Sequence, residues 1–278
     1  SVNSIIVKQS VTFTLTDCQG TGRITHAEEK THCGVRVSNG TFYMYGGVIT
    51  QNEGTAPGGG GVHVYYNENG RVNTFYMYGG TITGNRAEYG GGVYVNSGPE
   101  AGQDGTFHMY GGEISGNRAA KNGGGVFVYG NFTVSGSANI TGNTANNVYL
   151  YDGKTIAIGE GGLSGTIGVT TKTKPAENKP VTVIADTKGI AGLTNHVVSD
   201  DNAYKTAAVD GSAIVLRVKG DGGETPAEHT HKWIYTATGA TITATCEGDG
   251  LCNFNNDGGS VTIKDDKFLM PDSNVEVK

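Results

Sequence analysis

A motif of the form TFxMYGGxIxxN, followed after a short gap by GGGVxV, occurs three times in the first half of this chain. It runs from Thr41 to Asn52 with Gly59 to Val64, from Thr74 to Asn85 with Gly90 to Val95, and from Thr106 to Asn117 with Gly123 to Val128. The repeat starts lie 33 and 32 residues apart. Degenerate copies flank the three, at Thr12–Thr16 on one side and at Asn131–Ser135 with Ile140–Asn143 on the other. Each unit holds three short apolar or alternating runs broken by glycine. That is too little to enclose a core alone, but it suits one turn of a solenoid, in which every turn is buried by its neighbours. Successive turns would pair as parallel strands about 4.8 Å apart, so equivalent residues form columns.

Period-2 alternation assigns each column a side. In the first strand of the unit, Phe13, Phe42, Phe75, Phe107 and Phe132 align, as do Leu15, Met44, Met77, Met109 and Val134; both columns are apolar and face inward. The intervening positions, Tyr43, Tyr76 and His108 in one column and Tyr45, Tyr78 and Tyr110 in the next, face outward. In the third strand Val62, Val93, Val126 and Val148 point in, and His63, Tyr94, Phe127 and Tyr149 are expected to point out, with Arg36 one turn earlier. The two aromatic faces adjoin one corner, where residues 65–73 and 96–105 insert loops while 38–40 and 129–130 turn tightly. Inserted loops carry what is specific to a protein. The repeat fades after Asn143 into strand-like runs, giving an expected division into parallel β-helix repeats (1–170), final turns and cap (171–219), linker (220–228) and a small β-domain (229–278).

Composition narrows the function. With 47 glycines and only 17% charged residues, against a usual share of about 25%, turns and stacked backbone are favoured over helical surfaces. A net charge of -6 without a basic run argues against a nucleic-acid partner. No apolar stretch of about 18 residues marks a membrane span, and no leader is visible. Strand-like sequence at both ends leads us to expect a mature fragment of a longer chain. Cys18 and Cys33 form one local pair and Cys246 and Cys252 another; each is a candidate disulfide in an oxidising compartment, with free thiols as the alternative.

The GGxIxGNxAxxGGGVxV pattern resembles the glycine-rich right-handed parallel β-helix repeats of large surface proteins and adhesins of Gram-positive bacteria, and more distantly the pectate-lyase-like superfold. The last 50 residues, with His231-Lys232-Trp233 and Phe268-Leu269-Met270-Pro271, are similar to small all-β repeats of the same kind of protein. The resemblance implies an all-β chain, a right-handed solenoid followed by a small C-terminal β-domain, located outside the cell, either secreted or on the bacterial surface. It implies binding as readily as catalysis, because one cylinder hosts lyases, glycosidases and adhesins.

The leading expectation is therefore a non-catalytic, adhesin-like monomer that binds a glycan, a glycoprotein or another host macromolecule along its side, without cofactor, metal or membrane insertion. A polysaccharide lyase or glycoside hydrolase is the alternative, and a structural spacer the third reading. Candidate ligand contacts are Tyr43, Tyr45, Tyr76, Tyr78, His108 and Tyr110, whose flat faces and polar tips suit sugar rings. To these are added His63 and Tyr94, and Arg86 with Arg118 for an acidic group. The bland counterpart for the aromatics is a stacking ladder that stiffens the solenoid, and for the arginines a solvated surface. Asn52, Asn85, Asn117 and Asn143 recur at one corner, as structural amides do. Glycoside hydrolysis calls for two carboxylates on one face, yet Glu113 stands alone in the repeats and Glu68, Glu88, Glu100 and Asp104 fall in loops. Asp200-Asp201, and Asp249 with Asp257, lack the spacing of a calcium loop.

Overall fold

The computed structural model describes residues 5–26, 32–54, 58–67, 73–100, 102–209 and 211–219, and the backbone of five strands between 233 and 277. The chain divides into two units, Ser1–Asp221 and Gly222–Lys278. The first is a parallel β-solenoid of about six turns. Among the described residues there is no α-helix, only one 3-10 turn at Leu193–Asn195, and no helix long and apolar enough to cross a membrane.

Three faces make up the cylinder, and each follows one run of the repeat. The phenylalanine face stacks Val11–Leu15, Gly40–Met44, Asn73–Met77, Thr106–Met109, Asn131–Gly136 and Ile156–Leu163 in parallel. An isoleucine face follows the Gly-Gly corner, with Arg23–Ile24, Val48–Thr50, Thr81–Thr83, Glu113–Ser115 and Asn139–Ile140. The valine face stacks Ile5–Val7, Val35–Val37, Val62–Val64, Val93–Val95, Val126–Val128 and Val148–Leu150. Ile167–Thr171 then pairs with the last strand of both the isoleucine and the valine face, and Val197–Ser199 adds a last parallel rung to it.

The inward columns are those the alternation predicts. Phe42, Phe75, Phe107 and Phe132 are buried, and their rings stack at 4.7 Å and 5.1 Å, with Phe13 on Phe42 at 5.2 Å. Met44, Met77 and Met109, the isoleucines Ile49, Ile82, Ile114 and Ile140, and the valines of the third face fill the remainder. Burying each such side chain stabilises the fold by about 1.5–3 kcal/mol before the entropy of ordering it is deducted. The corners need glycine. Gly47, Gly80 and Gly112 have φ near +85° (83°, 84° and 88°), the left-handed region that side chains resist. At the GGGV corner the turns press so closely that a Cβ on Gly60 would come within 2.4 Å of the Gly91 carbonyl oxygen.

The end of the solenoid is covered by an antiparallel sheet in which Ala213–Val218 lies between Val181–Ile184 and Tyr204–Val209. An antiparallel sheet laid across the last turn removes the open strand edge that invites further pairing. In the second unit Trp233–Thr238 pairs antiparallel with Thr241–Cys246, and Lys267–Met270 pairs with both Ile263–Lys264 and Ser273–Val277. The linker expected at 220–228, and Cys252, lie outside the described residues. Cys18 is exposed with a free thiol, and Cys33 is half-buried.

Candidate functional site

Register builds the outward surface of the phenylalanine face. Because Thr74 pairs with Thr41 on one side and Thr106 on the other, Tyr43 falls level with Tyr76 and His108, and the residues one step beyond the paired methionines, Tyr45, Tyr78 and Tyr110, form a second column. Along the first column the centroids are 4.9 Å and 4.9 Å apart with planes 8° and 12° from parallel. Along the second they are 4.9 Å and 5.0 Å apart, at 7° and 27°. The columns are separated by 6.3, 6.4 and 6.1 Å. Tyr45 is 53% and Tyr78 43% exposed, and the other four are partly buried. The more exposed column sits beside the Gly-Gly corner, at the opposite end of the strand from the inserted loops; residues 68–72 of the first loop lie outside the described residues.

Stacking at the strand spacing changes what this surface offers. Each interior ring is covered on both sides by the rings of the turns before and after it, so Tyr76 and Tyr78 present edges and hydroxyls rather than faces. The surface is also uncharged at neutral pH: burial and the neighbouring phenols raise the pKa values of Tyr76 and Tyr78, and burial lowers that of His108. Six neutral aromatic side chains with their polar edges outward make a surface suited to hydroxyl-rich or peptide ligands.

The second aromatic column is not a surface. His63, Tyr94, Phe127 and Tyr149 are only 8%, 7%, 5% and 8% exposed. Tyr89 and Tyr151 pack over Tyr94, Phe127 and Tyr149, Tyr65 tilts against His63 at 5.0 Å, and the Gly58 backbone runs so close that a Cβ there would come within 2.7 Å of the imidazole. These side chains point away from the solenoid core, as the alternation predicts, but they are covered, which closes His63 and Tyr94 to the ligand contact considered from the sequence. They leave the solenoid core but enter a smaller aromatic cluster formed by segments from other turns.

His63 is neutral there. Burial, reinforced by the charge of Arg36 in the register position one turn before, drives its pKa down to about 3, and its Nε2 has no hydrogen-bond partner. Arg36 lies 4.5 Å from the Tyr65 ring centroid. The sign of the pH effect follows. The unfolded chain takes up this proton near pH 6.5 and the folded chain only near pH 3, so the contribution is intact above that window and is lost as the pH falls through it. Relative to a His63→Phe variant, the wild type is expected to lose about 2 kcal/mol of unfolding free energy between pH 6.5 and pH 5. Urea titrations at the two pH values check this, and parallel curves for the two proteins would refute it.

Arg86 and Arg118 are brought together. They are exposed register partners in a short extra pair of strands, Arg86–Tyr89 and Arg118–Asn122, with Glu53 bridged to Arg86 one turn earlier. A cleft of about 460 Å³ is lined by Arg86, together with Glu53, His26 and Asn52, but not by Arg118. The acids considered for chemistry are dispersed. Glu113 accepts a hydrogen bond from Ser115 Oγ at 2.6 Å, Asp104 pairs with Lys154 at 2.7 Å and Glu88 with Lys121 at 2.5 Å. No cluster of three metal-ligating side chains occurs among the described residues, and Asp249 and Asp257 lie outside them.

The asparagine corner is a continuous hydrogen-bond ladder. Asn52 Nδ2 donates to Asn85 Oδ1, Asn85 Nδ2 to Asn117 Oδ1, and Asn117 Nδ2 to Asn143 Oδ1, at 2.9–3.0 Å. The backbone N–H of each donates to the same oxygen, which fixes the amide orientation. The sequence did not reveal how the ladder ends. Asn143 passes on to Asn147, and Asn147 donates through both its backbone N–H and its Nδ2 to the carboxylate of Asp200, at 2.8 and 2.6 Å. Asp200, weighed from the sequence as a calcium ligand, is instead the acceptor that terminates this chain of donors. Its distance of 53 residues from Asn147 and its place outside any repeat left no signal.

No family model matches this chain, and neither does any curated protein or solved structure.

Proposed function

We propose that this chain is a non-catalytic, adhesin-like binding solenoid of a secreted or surface-attached protein, of the kind its repeats resemble in Gram-positive bacteria. It engages a glycan or glycoprotein through the outward double column of Tyr43, Tyr45, Tyr76, Tyr78, His108 and Tyr110. The observation that carries the reading is the exposure of Tyr45 and Tyr78 on an otherwise partly buried lattice of rings. A ladder serving stability alone is better covered, as the cluster around Tyr94 is. Large rings left in solvent on two consecutive turns are costly unless something docks on them.

The test is binding of the purified chain to arrayed plant, microbial and mucin-type glycans and host glycoproteins, beside a Tyr45→Ser/Tyr78→Ser variant. Because both side chains are exposed, the variant is expected to fold normally and to lose most of the signal. Retention of full binding by a folded variant would exclude this face, and silence of the wild type across the array would favour the spacer reading.

A further inference from the structure

The two ends of the tyrosine ladder are not alike. Beyond His108 and Tyr110 the fold closes over: Thr133 is half-buried, and Ser135 is only 4% exposed, with the Gly159 backbone so near that a Cβ there would lie 2.9 Å from the Ser135 side chain. Before Tyr43 and Tyr45 the ladder stays open. The register partner of Tyr43 is Thr14, and one residue past the paired Leu15 and Met44, Thr16 falls level with Tyr45. Both threonines are exposed. Among the described residues their strand is the last of its sheet, so no further rung rises beyond them.

The result is a step. Its wall is the outward faces of Tyr43 and Tyr45, whose opposite faces stack on Tyr76 and Tyr78, and its floor is Thr14 and Thr16. A threonine side chain ends well short of a tyrosine ring lying over it, so the outer parts of both rings are left bare on this side. Exposure agrees: Tyr45 is 53% exposed, whereas Tyr78, with a ring on either side, is 43%. The two wall rings lie 13° from parallel with centroids 6.3 Å apart, close enough for one six-membered ring to touch both.

Charge narrows what fits. Wall and floor consist of phenol and hydroxyl groups, without a formally charged side chain, and the threonine hydroxyls both donate and accept. Asp17 follows Thr16 at the edge of the floor, level with Gly46, where a Cβ would come within 3.2 Å of the Asp17 carbonyl oxygen. Its carboxylate accepts the N–H groups of Gly22, Gly20 and Gln19 at 2.7, 2.9 and 3.0 Å. These bonds, that of Gly22 foremost, lower its pKa and keep it ionised. A fixed anion beside the floor repels an acidic ligand.

We propose that this step binds one uncharged sugar unit, its ring stacked on the outward faces of Tyr43 and Tyr45 and its hydroxyls bonded to Thr14 and Thr16. The inference rests on the glycan reading above and narrows it from the whole tyrosine face to its open end.

The experiment uses the whole chain, titrated calorimetrically with cellotetraose, mannotetraose, chitotetraose and, as the acidic comparison, tetragalacturonate. Four proteins are compared: wild type, Thr14→Met/Thr16→Met, Thr14→Ser/Thr16→Ser and Tyr110→Ser. The methionine variant lays flexible apolar side chains across both ring faces and removes both hydroxyls, and is expected to weaken binding of a neutral tetrasaccharide about tenfold, the size of one lost stacking contact. The serine variant keeps the hydroxyls and the bare faces and should bind like the wild type. Tyr110→Ser, at the covered end, should do the same. Because both threonines are exposed, neither double variant is expected to shift the urea midpoint. Undiminished binding by the methionine variant, an equal loss in Tyr110→Ser, or binding of the acidic sugar alone overturns the step and leaves the tyrosine face as the contact surface. No binding of any sugar by the wild type overturns both.

Discussion

Replacing Asn85 with alanine is expected to lower the unfolding free energy by about 3–5 kcal/mol, because several fully buried groups lose their partners at once and each costs about 1–3 kcal/mol. Asn85 Oδ1 receives the Asn52 N–H at 3.0 Å and Asn52 Nδ2 at 2.9 Å. Its own Nδ2 donates to the carbonyls of Ile49 and Thr83 and to Asn117 Oδ1. Alanine strands all of these in a region with no access to water. Aspartate is the sharper test. It has the shape of asparagine and keeps the acceptor for Asn52, but turns its second oxygen onto three oxygen acceptors and brings an unpaired buried charge, so Asn85→Asp is expected to cost at least as much as Asn85→Ala. Chemical denaturation of the two variants measures this. If aspartate were tolerated better than alanine, the loss would be one of volume rather than of hydrogen bonds, and the ladder would not be what holds this corner.

The second large effect is expected in the phenylalanine stack. Phe75 is fully buried between Phe42 and Phe107, each 4.7 Å away and nearly parallel. Phe75→Ala leaves a cavity bounded above and below by rings held by their own strands, so the site cannot collapse, and a loss of about 3–5 kcal/mol is expected. Phe13→Ala should cost distinctly less, because Phe13 is only partly buried and stacks on one ring, 5.2 Å away. A solenoid in which each turn is buried by its two neighbours must show this dependence on position. Equal losses at the two sites in the same denaturation assay would contradict it.

Both effects were visible in outline before any coordinates, since identical residues at a fixed period must stack when the turns stack. The third face shows the limit of that argument. Alternation places His63, Tyr94, Phe127 and Tyr149 on the side of the strand away from the core, and that is where they lie, yet they are buried. The period reports which side of a sheet a residue takes and says nothing of what lies over that side. Here the cover comes from Tyr65 in an inserted loop, Tyr89 in the extra strand and Tyr151 past the next turn, none of them in register with the repeat. For the tyrosine face the same alternation gave the right side, but the use of the ring faces against one another depends on side-chain planes that no spacing reveals.

The sequence by itself therefore determined what repeats: the parallel solenoid, its three inward columns, the glycine corners and the asparagine ladder, all of which follow from identical local pieces burying one another at a 4.8 Å strand spacing. Only the tertiary structure decided what does not repeat. It set the antiparallel sheet over the last turn, the Asp200 carboxylate that ends the ladder, and the covering of His63 and Tyr94. These depend on contacts between segments far apart in the chain, whose strength comes from shape and burial in three dimensions rather than from any local pattern of residues.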